Sequence, residues 1–257
     1  MKRIPRALIL TSLPLLAGVP QAQGVPVVTI PKLPDRQATL TSSGKDTRTI
    51  EAALLHAAPT MRPAALQAAL SAWDDLHARG EVSRSILTVI DYGLPSITKR
   101  MWVFDLDSRR LLFHELVAHG RNSGEDVARW FSNQDGSRMT SLGAFITGGT
   151  YSGRNGYSLR LHGMEPGLND HAEARTIVVH GAPYVCEETA HKLGRIGRSY
   201  GCPAVRPAIA RALIDQVKDR TLLYAWHPLL LKPATPAVVA PPLSVLGLQD
   251  VRPARGR

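Results

Sequence analysis

The chain has 257 residues, with 31 Lys and Arg, 21 Asp and Glu, nine His and two Cys, for a net charge of +10. An apolar share of 44% suits a globular chain and excludes wholesale disorder. No run of 18 apolar residues follows the N-terminal stretch, which excludes a multi-span membrane protein, and two cysteines exclude a disulfide scaffold or a four-cysteine zinc site.

Residues 1–22 have the form of an export signal. Lys2, Arg3 and Arg6 form a cationic start, Ala7 to Val19 an apolar stretch broken by Pro14, and Ala22 and Gly24 are small residues suited to cleavage. The apolar part is short for a membrane span. Without the three cations the balance is 28 basic to 21 acidic residues, a net +7. An exported, periplasmic or cell-wall-associated protein of that charge meets wall polymers and anionic lipid head groups rather than nucleic acid. Aromatics at 5% also leave little on which bases would stack.

Residues 23–46 are rich in Pro, Ser, Thr and Gly and read as a linker. A helical segment follows over 47–84 and is expected to pack on the next domain. Its first helix covers Thr47 to Ala58. Its second starts at Thr60-Met61-Arg62-Pro63, a capping Thr ahead of a first-turn Pro. Leu66, Leu70, Trp73 and His77 recur at helical spacing, and Gly80 stops the helix.

The pattern changes at Ser85. Ile86 to Ile90 is a strand, and Met101 to Phe104 and Leu111 to Val117 form a hairpin around Asp105-Leu106-Asp107-Ser108. Residues 141–161 mix Gly, Thr, Tyr and Ser with short apolar bursts, and Asn155-Gly156 is a tight-turn signal. Thr176 to Val179 is a buried strand ended by His180-Gly181. Pro203 to Lys218 reads as a helix with Ala208, Ile209, Ala212, Leu213 and Val217 on one side. Thr221 to Trp226 is the last strand. Residues 229–257 hold many prolines without periodicity and read as a disordered tail. The domain at 85–228 is mainly β with flanking helices, not the alternating pattern of a doubly wound fold.

Two segments carry chemistry. Ile177-Val178-Val179-His180-Gly181 delivers a His at a strand end, and Gly197-Arg198-Ser199-Tyr200-Gly201-Cys202-Pro203 runs into the expected helix. A Cys at a helix N-terminus feels the positive dipole end and unpaired amides, which favour thiolate. A nearby imidazole can take the thiol proton, and glycines let the backbone approach closely enough for amides beside Cys202 to bind an oxyanion. Thiol, base and oxyanion donors are the parts of an acyl-transfer site. The opposing reading is a disulfide between Cys186 and Cys202, which an oxidising compartment favours.

These segments resemble the YkuD-type L,D-transpeptidase signature, a His-Gly ahead of a Ser-x-Gly-Cys loop. The closer resemblance is to its divergent murein L,D-transpeptidase catalytic-domain branch, with Gly201-Cys202-Pro203-Ala204. Leu87-Thr88-Val89-Ile90-Asp91, Met101 to Leu106 and Leu159 to Gly167 look like the same branch, so the resemblance spans about 50–228. It implies a YkuD-like β-sandwich or barrel. It implies that Cys202 is the nucleophile, His180 the general base, and Ser199, Tyr200, Gly201 and Gly181 the oxyanion and substrate loop. The donor would be a peptidoglycan tetrapeptide stem. Cys202 would attack the third residue's carbonyl, expel the terminal D-Ala, and pass the acyl group to a second stem as a 3–3 cross-link. Water as acceptor would make the same residues an L,D-carboxypeptidase. A non-catalytic cell-wall binding module is the alternative from another class. The main branch places substrate with an Arg two positions after the Gly-Cys, where this chain has Ala204. Arg206 and Arg198 are candidates to stand in for it.

His162 and Tyr151 are further candidates for substrate binding. Tyr151, Tyr157 and Asn155 form either a substrate loop or a packed hairpin. His162, His171, His180 and His191 with Asp170 suggest zinc, but no HExxH occurs, and His119 lies one residue too far from His114-Glu115. Neither a Walker loop nor a dinucleotide fingerprint is present, so no metal and no cofactor are expected.

Overall fold

The computed structural model describes residues 43–231, with side chains from 48 onward. The expected export signal, residues 23–42 of the expected linker and residues 232–257 of the expected tail lie outside the described residues. Two helices lead: α1, Ser43–Ala57, and α2, Pro63–Ala78. The strands are β1, Ile86–Asp91; β2, Met101–Asp105; β3, Arg110–Glu115; β4, Gly143–Gly153; β5, Gly156–Gly163; and β6, Val178–Gly181. Then come α3, Glu187–Leu193; β7, Ala204–Val205; α4, Pro207–Val217; β8, Leu222–Trp226; and a 3-10 turn, Pro228–Leu231.

All eight strands form one mixed sheet in the order β3-β2-β1-β8-β4-β5-β6-β7. Its central strands are covered on both faces, so they read as unbroken apolar runs rather than alternating ones. Ile86 and Ile90 of β1, Met101 and Val103 of β2, and Leu223 and Ala225 of β8 share one core with α4. Leu87, Val89, Trp102, Phe104, Leu222, Tyr224 and Trp226 point the other way, onto Leu54, Leu66 and Leu70 of α1 and α2. Each fully buried Leu contributes roughly 2 kcal/mol of transfer free energy.

The sheet comes close to closing on itself. Ala118, three residues past β3, bridges to Ala204 on β7, and its N–H donates to the Ala204 carbonyl at 2.8 Å. Arg206, just past β7, forms a bidentate pair with Glu115 at the end of β3, at 2.9 and 2.7 Å. The result is a mostly β, nearly closed and barrel-like body with a few helices.

Several boundaries differ from the sequence expectations. α1 begins at Ser43, four residues earlier than expected. α2 is entered through Arg62, with no side-chain cap, because Pro63 itself sets the first helical φ. The helix expected from Pro203 starts only at Pro207, because Ala204 and Val205 are taken by sheet pairing. α3 was not anticipated; the Cys186 sulfur caps it by accepting from the Thr189 N–H at 3.4 Å. Leu229 and Leu230, expected in the tail, pack against the core.

Candidate functional site

Sheet order explains how two residues 22 apart meet. β6 runs parallel to β7, with His180 opposite Ala204. Cys202 lies two residues ahead of Ala204, so the imidazole and the thiol line one cleft of about 830 Å³. The cysteine loop is clamped by the segment after β3. Ser199 N–H donates to the His119 carbonyl at 3.0 Å, and Arg121 N–H to the Ser199 carbonyl at 2.8 Å.

His180 is buried, and its Nδ1 lies 2.9 Å from the Gly181 carbonyl. A carbonyl only accepts, so Nδ1 carries the proton and Nε2 keeps the lone pair. Burial holds this imidazole below the ordinary value of 6.5, which keeps it neutral at pH 7.

Cys202 differs from the expectation. It is five residues ahead of α4 rather than at its N-terminus, so the helix dipole does not act on it at close range. Burial pushes its thiol upward; the amides of Val178 and Cys202 itself, and the Arg175 charge, oppose the rise. The resting pair is therefore thiol and neutral imidazole. The sulfur lies 3.7 Å from the Thr176 carbonyl, an acceptor for its S–H. Thr176, which also lines the cleft, has φ +53°, a backbone state uncommon outside glycine. Both cysteines are free thiols, so the expected disulfide alternative is not formed.

The loop around Cys202 is fixed by Ser199. Its Oγ donates to the Cys202 carbonyl at 2.7 Å and accepts from Gly201 N–H at 3.0 Å. The Gly201 amide is thereby used within the loop. Among the described residues, the amides of Arg198, Tyr200 and Cys202 in this loop have no backbone acceptor, and the Cys202 amide lies against its own sulfur. Gly201 has φ +127°, and a Cβ there would meet the Met139 carbonyl at 2.8 Å, so the turn requires glycine.

Of the expected substrate residues, Arg198, Ser199, Tyr200 and Gly181 line the cleft with Asn155. His162, Tyr151 and Arg206 do not. His162 faces Glu173 at 3.0 Å. Tyr151 lies under the Arg160 guanidinium, 4.5 Å from its centroid. Tyr157 donates to Asp215 at 2.6 Å, so both tyrosines belong to a packed hairpin. Arg206 is held by Glu115 and does not replace an arginine at position 204.

Sequence reasoning missed four arginines on this wall: Arg121, Arg154, Arg175 and Arg195. They come from separate segments, so no motif joins them, and the basic net charge was their only signal. Arg175 is nearly buried. It donates to the carbonyls of Ser132 and Met139, each at 2.7 Å, and to the Ser141 hydroxyl at 2.5 Å. Burial lowers its basicity, while Cys202 and Asp135 act to raise it.

His119 is fully buried behind the loop. Its Nδ1 accepts from Arg100 Nη2 at 2.8 Å, so its Nε2 donates to the Gly124 carbonyl at 3.3 Å. Burial and the Arg100 charge push it down to about 3. No cluster of three or more His, Cys, Asp or Glu suited to a metal occurs among the described residues. None of their helices is long and apolar enough to cross a membrane.

A family model described as an L,D-transpeptidase catalytic domain matches residues 57–226. No curated protein matches the chain. Among solved structures, an L,D-transpeptidase from Mycobacterium smegmatis is 15% identical, covering 55% of this chain and 58% of that one at a TM-score of 0.34. L,D-transpeptidase 1 from Mycobacterium tuberculosis is 14% identical over 55% and 61%, at 0.31. The helical cell shape determining protein Pgp2 from Campylobacter jejuni is 12% identical over 60% and 55%, at 0.37. The chain thus spans less than two thirds of the length of each of these structures.

Proposed function

The chain belongs to the L,D-transpeptidase catalytic domain family, and from that membership we propose that it is an exported cysteine acyltransferase acting on peptidoglycan stem peptides. In this reading residues 1–22 direct export and 85–228 carry the chemistry. The observation that carries it is the pairing of β6 with β7, which puts His180 and Cys202 on one cleft.

His180 Nε2 takes the Cys202 proton as the sulfur attacks the third residue's carbonyl of a tetrapeptide stem. Proton transfer and attack are coupled, because the thiol is not ionised beforehand. In this reading unpaired backbone amides of the Cys202 loop, those of Tyr200 and Cys202, receive the developing oxyanion, and the Ser199 hydroxyl ties the loop through Cys202 and Gly201. His180 then passes the proton to the departing D-Ala amine, leaving a thioester. An amine from a second stem, deprotonated by His180, attacks the thioester and returns the thiol. The product is a 3–3 cross-link.

The test is product analysis with purified disaccharide-tetrapeptide. Cross-linked dimer and free D-Ala are expected, and both disappear in Cys202→Ala and His180→Ala. Tripeptide without dimer would assign the same residues to carboxypeptidase chemistry. Sacculus binding without D-Ala release, unaffected by either substitution, would make the chain a wall-binding module and overturn the reading.

A further inference from the structure

Five arginines line the cleft: Arg121, Arg154, Arg175, Arg195 and Arg198. They arrive from four places in the fold. Arg121 follows the strand bridge that clamps the cysteine loop. Arg154 is at the tip of the β4–β5 hairpin, where Gly153 pairs with Gly156. Arg175 precedes β6, and Arg195 and Arg198 follow α3. Arginines converging from separate elements on a nucleophile differ from a solvated basic stretch along one element.

Their charge is poorly compensated from within the protein. Arg195 and Arg198 share one carboxylate, Glu125, at 2.9 and 2.7 Å. Arg175 donates only to carbonyls and hydroxyls, and Asp135 acts on it through space. Arg121 and Arg154 have no side-chain ion pair among the described residues, and no Asp or Glu lines the cleft. Arginine forks match carboxylates in geometry, and a walled cleft focuses such a field.

We propose that this cleft selects an acyl donor bearing free carboxylates beside the reacting carbonyl, and discriminates against the same donor with those groups amidated. The proposal rests on the acyl-transfer reading and names its substrate class. In a tetrapeptide stem the groups concerned are the terminal D-Ala carboxylate and the carboxylate on the diaminopimelate side chain. Arg154 and Arg121 are the free forks that receive them. Arg175, fixed by its backbone contacts, supplies standing charge beside Cys202.

The test uses full-length Cys202→Ala protein, which separates binding from turnover. Calorimetric titration compares a diaminopimelate tetrapeptide with its diaminopimelate-amidated form at low and high salt. The free-acid form is expected to bind at least about tenfold tighter. The gap is expected to narrow with salt and in Arg121→Gln and Arg154→Gln, two outward substitutions with little effect on folding. Equal affinity for the two peptides, or a gap untouched by both arginine substitutions, would overturn the proposal. So would inorganic phosphate at matched ionic strength displacing both peptides equally, the mark of an unselective anion site. A gap that persists while wild-type protein forms no acyl adduct would leave this inference standing and remove the acyl-transfer reading. An adduct without a gap would do the reverse.

Discussion

In the proposed reaction, the protonation states of Cys202 and His180 decide how the thiol is activated. Burial raises the thiol and lowers the imidazole, so the ion pair expected from a helix N-terminus is not the resting form. Cys202 alkylation by iodoacetamide is therefore expected to climb through the alkaline range. A rate plateau between about pH 6 and 8 would instead reveal a resting thiolate. Turnover is expected to fall on the acid side only as pH drops below 6.5, because His180 must be neutral to accept the proton. Arg175 opposes the rise of the thiol, so Arg175→Met is expected to move the alkylation midpoint to still higher pH. Cys186→Ala removes only a cap on a seven-residue helix and is expected to keep full activity. That His180 and Cys202 are candidates was legible in the sequence, because their motifs are local, and the structure puts both on one cleft. Their ionisation was not, because it depends on burial contributed by distant segments.

Loops and their clamps decide the precision of the site. Gly201→Ala forces a Cβ against the Met139 carbonyl at an unfavourable φ. It is expected to cost about 2 kcal/mol and to lower kcat by displacing the sulfur, as read by urea denaturation and product assay. The clamp behind the loop carries its own pH signature through His119. In the unfolded chain this group takes a proton near pH 6.5, whereas in the fold it resists until about 3. Between those values the unfolded state binds more protons, so stability falls as pH falls. The expected loss is about 1.4 kcal/mol per pH unit from this one group. Urea unfolding at pH 6.5 and 5 measures it, and a stability unchanged between them contradicts the buried neutral state. The strands of the core were legible as compact apolar runs. β7 and α3 were not: β7 is two residues long and exists through pairing, and α3 buries no residue that would mark a periodic face.

For the whole molecule, near-closure of the sheet brings the two ends of the strand order together behind the Cys202 loop. Arg206 holds that closure through Glu115, which is buried beneath it. Arg206→Ala is expected to cost about 2 kcal/mol in urea unfolding and to leave KM for the tetrapeptide nearly unchanged. A raised KM with unchanged stability would return Arg206 to substrate binding. The sequence could not separate these roles, because an arginine just past a strand looks the same whether it faces a carboxylate of the protein or one of a ligand. The mainly β character was legible from the short apolar strands; the arginine-lined cleft depended on a topology that gathers residues 121 to 198 around one opening. The central claim is that Cys202 carries the acyl group. Intact-protein mass after mixing with disaccharide-tetrapeptide tests it most directly. An adduct equal to the donor minus D-Ala, mapped to Cys202 and absent in Cys202→Ala, is the predicted result. D-Ala release by the Cys202→Ala protein at the wild-type rate would contradict it.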